Sequence, residues 1–246
     1  MALEGAENGA DYGSAHARRL VSVVSMPAAV VLVVTILVIG LLRRSHRRAV
    51  WAVVAVVGAN LTTQILKYQF LWRPDFNITE RWDNANTLPS GHTTMAASAA
   101  VALILLSGRR WRPLSAWAGG LFTVAMGYST LVCQWHRPSD VITAALIAGA
   151  WALALSPIER RPRHGAKVQR VMVWASLGLI VIALLATGAA MWGFSMSAAS
   201  PGSGYGFEDF LQIRPWRSRV LGVAAVAWVS AVCGLIMHEV DRLAGE

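Results

Sequence analysis

Apolar residues run along this chain in long unbroken stretches, and the polar residues gather between them. Seven stretches stand out, at 20–42, 50–66, 93–107, 114–132, 141–155, 171–192 and 220–237. Their lengths approach the roughly 20 apolar residues that carry a helix across a bilayer core of about 30 Å. Runs 93–107 and 141–155 are short for that distance, so their helices should extend through the polar flanks. Continuous runs, as opposed to alternating ones, exclude a transmembrane β-barrel. The pattern predicts an all-α fold, a polytopic membrane helical bundle of about seven spans. One transmembrane domain, 20–238, follows a short extramembrane N-terminus (1–19) and precedes a cytoplasmic tail (239–246). The N-terminus carries Glu4, Glu7 and Asp11 before Arg18 and Arg19. It lacks the basic start of a cleaved signal, so the first run reads as a retained span.

Composition agrees with the pattern. Hydrophobic residues make up 55% and charged residues 14%, where soluble domains carry about 25% charged residues. A net charge of +9 would suit nucleic acid, but the positions of the charges argue for another origin. Arg43, Arg44, Arg47 and Arg48 fill the first connection; Arg109, Arg110 and Arg112 the third; Arg160, Arg161, Arg163, Lys167 and Arg170 the fifth. Alternate connections share one side, and basic short loops mark that side as the cytoplasm. The N-terminus is then outside and the C-terminus inside, against the local sign of Arg18 and Arg19. The expected partners are the lipid bilayer and a membrane lipid, with no nucleic acid. Several of the eleven tryptophans (Trp72, Trp111, Trp135, Trp192, Trp216) sit at span ends, as an aromatic belt requires. Cys133 and Cys233 lie far apart in apolar runs, and no Cys/His cluster has metal-ligand spacing, so no metal site is expected.

Three polar clusters remain, and the topology puts all of them on the outer face. The first is Lys67-Tyr68 followed by Arg73-Pro74-Asp75; the second is Pro89-Ser90-Gly91-His92-Thr93-Thr94; the third is His136-Arg137-Pro138-Ser139-Asp140. An ammonium at Lys67 can snorkel to the interface, and the planar fork of Arg73 suits phosphate. Ser90 and Gly91 precede a helix whose free N–H groups form an anion seat. His92 falls in that helix's first turn. Pro138 suits a first helical position, and Asp140 then lies four residues after His136, near enough to fix one ring tautomer. Each feature alone has a plainer explanation: a snorkelling lysine, a turn, a helix cap, an acid in a first turn. Together they form a nucleophile with an orienting acid, an anion seat, cations and a second histidine. That is the layout for phosphoryl transfer through a covalent intermediate.

The order of the clusters resembles the type 2 phosphatidic acid phosphatase (PAP2) superfamily, whose pattern is K-x6-R-P, then P-S-G-H, then S-R-x5-H-x3-D. Here stand Lys67, five residues and Arg73-Pro74; Pro89-Ser90-Gly91-His92; and Ser129-Thr130, five residues, His136, three residues and Asp140. The resemblance runs from about 60 to 150 and implies a core of about 50–156, with two extra spans at 171–192 and 220–237. It implies that His136 becomes a phosphohistidine, Asp140 orients it, and His92 protonates the leaving oxygen and later helps activate water. Lys67, Arg73, Ser90 and Gly91 would hold the phosphate oxygens. No metal or other cofactor is implied. Two departures stand in the motifs. The first motif is one residue short, which a partly unwound span end would absorb. The arginine expected after Ser129 is Thr130; Arg137 is the first choice to replace it, ahead of Arg81 and Arg217. One span precedes the span that carries the first motif, where common six-span members have two. The outer loop 195–219, rich in glycine and aromatics, reads either as a connection with an interfacial patch or as a lid.

The resulting expectation is a lipid phosphatase acting on a phosphomonoester or diphosphate lipid at the outer face, with polyprenyl diphosphate or a related polyprenyl phosphate ester favoured. The alternatives are a lipid phosphotransferase and a non-catalytic lipid-phosphate binding protein. Twenty arginines against two lysines suggest a GC-rich bacterium such as an actinobacterium, hence a multi-pass protein of the bacterial cytoplasmic membrane.

Overall fold

The computed structural model describes residues 46–71, 86–108, 110–133, 135–156, 166–195 and 207–244, together with 31, 34, 35, 38, 39 and 42. All the regular structure among the described residues is helical. Helix α1 (His46–Ile65) runs on into a π-helical turn, Leu66–Phe70. It is followed by α2 (Gly91–Leu106), α3 (Arg112–Val132), α4 (Pro138–Leu155), α5 (Ala166–Met191), the short α6 (Phe207–Gln212) and α7 (Trp216–Leu243). Four helical stretches are long and apolar enough to cross a membrane: His46–Phe70, Pro138–Leu155, Lys167–Met191 and Trp216–Leu243. Helix α2 is a shorter apolar helix.

Six of the seven apolar runs fall on these helices. The first, 20–42, lies mostly outside the described residues; its described positions from 31 to 42 are helical. The helices outrun the apolar stretches because polar residues cap and continue them. Ser90 caps α2, its Oγ accepting from Thr93 N–H. Pro138 opens α4 and Asp140 closes a capping box with the Arg137 N–H. At its other end α7 continues to Leu243, so residues 239–243 are helical, with Val240 and Asp241 buried.

Helix α2 is the centre of the bundle, packed on α1, α3 and α4. Small residues allow the close approach. A Cβ on Gly119 of α3 would stand 2.6 Å from Ala100 Cβ of α2, and one on Gly58 of α1 would stand 2.7 Å from the Trp151 ring of α4. Ala144, Ala145 and Ala148 of α4 are fully buried. Without a hydrophobic drive inside lipid, such packing and buried hydrogen bonds hold helices together. Three of the polar residues in the second apolar run supply those bonds. Asn60 donates to Ser98 Oγ (3.2 Å), Thr63 and Thr94 hydroxyls meet at 2.9 Å, and Trp151 Nε1 donates to Thr62 Oγ1 (3.0 Å). Gln64, from the same run, is exposed.

Helix α7 packs along α5 and also against α3 and α4, which touch each other little. Val229 and Cys233 of α7 complete a cluster with Leu131 of α3 and Val141 and Ala145 of α4. The two ends of the bundle differ. At one end lie the start of α3 and the finish of α2 and α7. There the buried Arg112 donates Nε to Ile104 O (3.2 Å) and Nη1 to Ala244 O (2.6 Å). It thereby satisfies carbonyls that helix C-termini leave open. Gln169 Nε2 donates to Asp241 Oδ2 (2.6 Å) at the same end. The opposite end gathers the finish of α1 and α3 and the start of α2 and α4.

Candidate active site

At that opposite end the second and third polar clusters meet. Asp140, fully buried, joins them. Its main-chain carbonyl accepts from Ser90 N–H at 3.1 Å. Its Oδ2 accepts from Thr87 Oγ1 (2.8 Å) and from Arg137 N–H (3.0 Å), while Oδ1 accepts from Ser139 Oγ (3.3 Å). The same Oδ2 lies 3.5 Å from His136 Nδ1. His136 is 6% exposed, and its Nδ1 makes no hydrogen bond at that distance. A movement of about 0.5 Å would bring the pair within hydrogen-bond range.

Ser90 is fixed from several sides. Its Oγ accepts from Thr93 N–H (3.3 Å) and Thr93 Oγ1 (3.0 Å), and its carbonyl accepts from Thr94. The Leu88–Pro89 peptide ahead of it is cis. At Gly91 a Cβ would meet only Gln64 Nε2, at 3.9 Å. Protein atoms therefore do not demand glycine there. His92 is half-buried, its ring tilted against Trp135 at 5.6 Å between centroids. Both His136 and Lys67 are close enough to His92 to act on it electrostatically. Lys67 sits in the π-helical turn that ends α1, half-buried, with Nζ 5.6 Å from the Tyr68 ring. Arg137, the N-cap of α4, is also half-buried.

The structure thus brings together His92, His136, Asp140, Ser90, Gly91, Lys67 and the backbone of Arg137. Arg73 and Arg81 lie outside the described residues. Thr130 is buried and donates Oγ1 to Gly127 O (2.7 Å), so its hydroxyl is turned onto its own helix. Arg217 lies in the first turn of α7. It donates to Phe210 O (3.1 Å) and Trp192 O (3.3 Å) and stacks over the Phe210 ring at 3.7 Å. Of the outer loop, 196–206 lies outside the described residues. Sequence reasoning passed over Thr87. Thr87, three residues before Ser90, looked like an ordinary loop hydroxyl because its partner is 53 residues away.

Residues 48–164 match the family model of the PAP2 superfamily, and all three clusters lie inside the match. Residues 48–164 are thus the PAP2-like part of the chain. Nothing matches it among curated proteins or among solved structures. The match supports a phosphatase of phosphate esters, and the four long apolar helices support a membrane protein. The PAP2 match ends just before α5, so α5, α6 and α7 lie beyond it.

Proposed function

We propose that this PAP2 protein is an integral-membrane lipid phosphatase working through a phosphohistidine at His136. The observation that carries the reading is the buried Asp140, with Oδ2 3.5 Å from His136 Nδ1 and its carbonyl bonded to Ser90 N–H. A carboxylate facing Nδ1 favours the tautomer protonated there and leaves Nε2 as the attacking atom. Nε2 attacks phosphorus, the P–O bond to the lipid breaks, and His92 gives its proton to the departing oxygen. Water then attacks the phosphohistidine while His92 takes its proton, and the P–N bond breaks to release phosphate. Lys67, Arg73, Ser90, Gly91 and Arg137 hold the phosphate oxygens, and no metal or cofactor takes part. Charge that builds on those oxygens is met by cations and helix N–H groups, the main source of stabilisation in such transfers.

The membrane is the bacterial cytoplasmic membrane, with the site outside. Two features support this reading. The site occupies one end of the bundle, and Arg112 of a basic connection occupies the other. Polyprenyl diphosphate, or a related polyprenyl phosphate ester, is the favoured substrate, since such carriers need dephosphorylation at the outer leaflet. The test is phosphate release by purified protein in detergent with EDTA present. Polyprenyl diphosphate, phosphatidic acid and phosphatidylglycerol phosphate are compared, with His136→Ala as control. Release from one lipid, abolished in the variant, is the expected result. Label passing to an added acceptor in place of water would make the protein a phosphotransferase. Binding without release would make Thr130 the deciding residue and the protein a lipid-phosphate binder.

A further inference from the structure

The capping box of α4 already accounts for one hydrogen bond to Asp140 Oδ2, from the Arg137 N–H at 3.0 Å. That bond is local: it ties the carboxylate to its own helix and carries no information about where α2 begins. The shorter bond, from Thr87 Oγ1 at 2.8 Å, comes from the segment that leads into α2. A second link runs beside it, from Ser90 N–H to the Asp140 carbonyl at 3.1 Å. Two neighbouring points ahead of α2 are therefore fastened to one residue of α4, one through its side chain and one through its backbone. His92 follows Ser90 on α2, and His136 precedes α4. The two imidazoles are thus held in register by this pair of links.

The links differ in what they can fix. The backbone bond sets the position of α2 but leaves the Asp140 side chain free to turn. The Arg137 and Ser139 contacts, both from α4 or its cap, hold the carboxylate near its own helix. The Thr87 bond relates the carboxylate plane to the α2 side of the site. Oδ2 is also the oxygen facing His136 Nδ1, at 3.5 Å, so its orientation decides whether the two can close to a hydrogen bond.

We propose that Thr87 is a positioning residue for the transfer: its hydroxyl orients the Asp140 carboxylate so that His136 and His92 stand on a common line through the phosphate. The inference rests on the reading of His136 as the nucleophile. Geometry of this kind acts on the rate of the chemical step more than on binding, because the phosphate oxygens are held by other groups.

The test uses the full-length protein in detergent and the phosphate-release assay with polyprenyl diphosphate. Thr87→Val, Thr87→Ser and His136→Ala are measured beside the wild type. Valine keeps the shape and removes the donor. Loss of a hydrogen bond to a charged group predicts a fall in kcat of about tenfold or more in Thr87→Val, with KM within about twofold of wild type. Thr87→Ser restores most of kcat. If Thr87→Val turns over like the wild type while His136→Ala is inactive, the inference is overturned and the histidine reading stands. A Thr87→Val protein whose kcat and KM both deteriorate with its thermal stability, unrelieved by serine, also overturns it, since Thr87 would then only hold a loop. If His136→Ala remains active, the histidine reading itself falls.

Discussion

The pattern that the motifs resemble has an arginine where this chain has Thr130, and the proposed substitute is Arg137. The Thr130 hydroxyl donates to Gly127 O within its own helix, so it brings no charge to a phosphate. Arg217, the more distant alternative, is engaged by Phe210 and Trp192 at the α5–α7 connection. Arg137 stands beside His136, the proposed nucleophile, with its backbone already tied to Asp140. Arg137→Ala should therefore lower kcat/KM for the lipid phosphate by roughly 10- to 100-fold, the worth of a charge-assisted hydrogen bond. Steady-state phosphate release measures it; unchanged turnover would remove Arg137 from the site. Single residues were also where sequence reasoning was weakest. Histidines, Ser90, Gly91 and Asp140 were visible because their chemistry is confined to short motifs. Thr87 and the buried Arg112 were not, because each acts through a partner far away in sequence. Arg112 read as one basic loop residue among others, although it is buried and bonded to the ends of two helices.

Helices were legible almost throughout, because an unbroken apolar run of this length has few other ways to satisfy its backbone in lipid. Their ends were less so. The first motif is one residue short, and the structure answers at that point with a π-helical turn over Leu66–Phe70. A π turn is wider than an α turn and is often found at functional sites; here Lys67 lies within it. The α6 helix within the outer loop had no signal, being too short to show a period. Close helix contact was readable from small residues but not which of them matter. A Cβ on Gly119 would meet Ala100 Cβ at 2.6 Å and its Cα at 3.1 Å, whereas one on Gly120 would meet Met172 Cε at 3.5 Å. Gly119→Ala should cost about 1–3 kcal/mol through overpacking against backbone, and Gly120→Ala very little. Thermal unfolding in detergent compares the two.

At the scale of the whole molecule the bundle has an end that carries the candidate site and an end tied together by Arg112, and the proposed direction in the membrane rests on the basic connections. Trp192, 82% exposed, and Arg242 mark opposite ends. In a background with Cys133→Ser and Cys233→Ala, Trp192→Cys should react with a membrane-impermeant thiol reagent in intact cells. Arg242→Cys should react only after permeabilisation. The reverse pattern would invert the proposed orientation and put the site in the cytoplasm.

The seat of α7 has a further consequence. Val229, Cys233 and Ile236 fill the groove between α3 and α4, two helices that otherwise touch each other little. In a bundle whose substrate carries a hydrocarbon tail, a groove between two core helices would be a lateral door, open to the bilayer. Here that door is walled up by a helix beyond the PAP2 core, so a tail sliding in from the membrane has to enter on another flank.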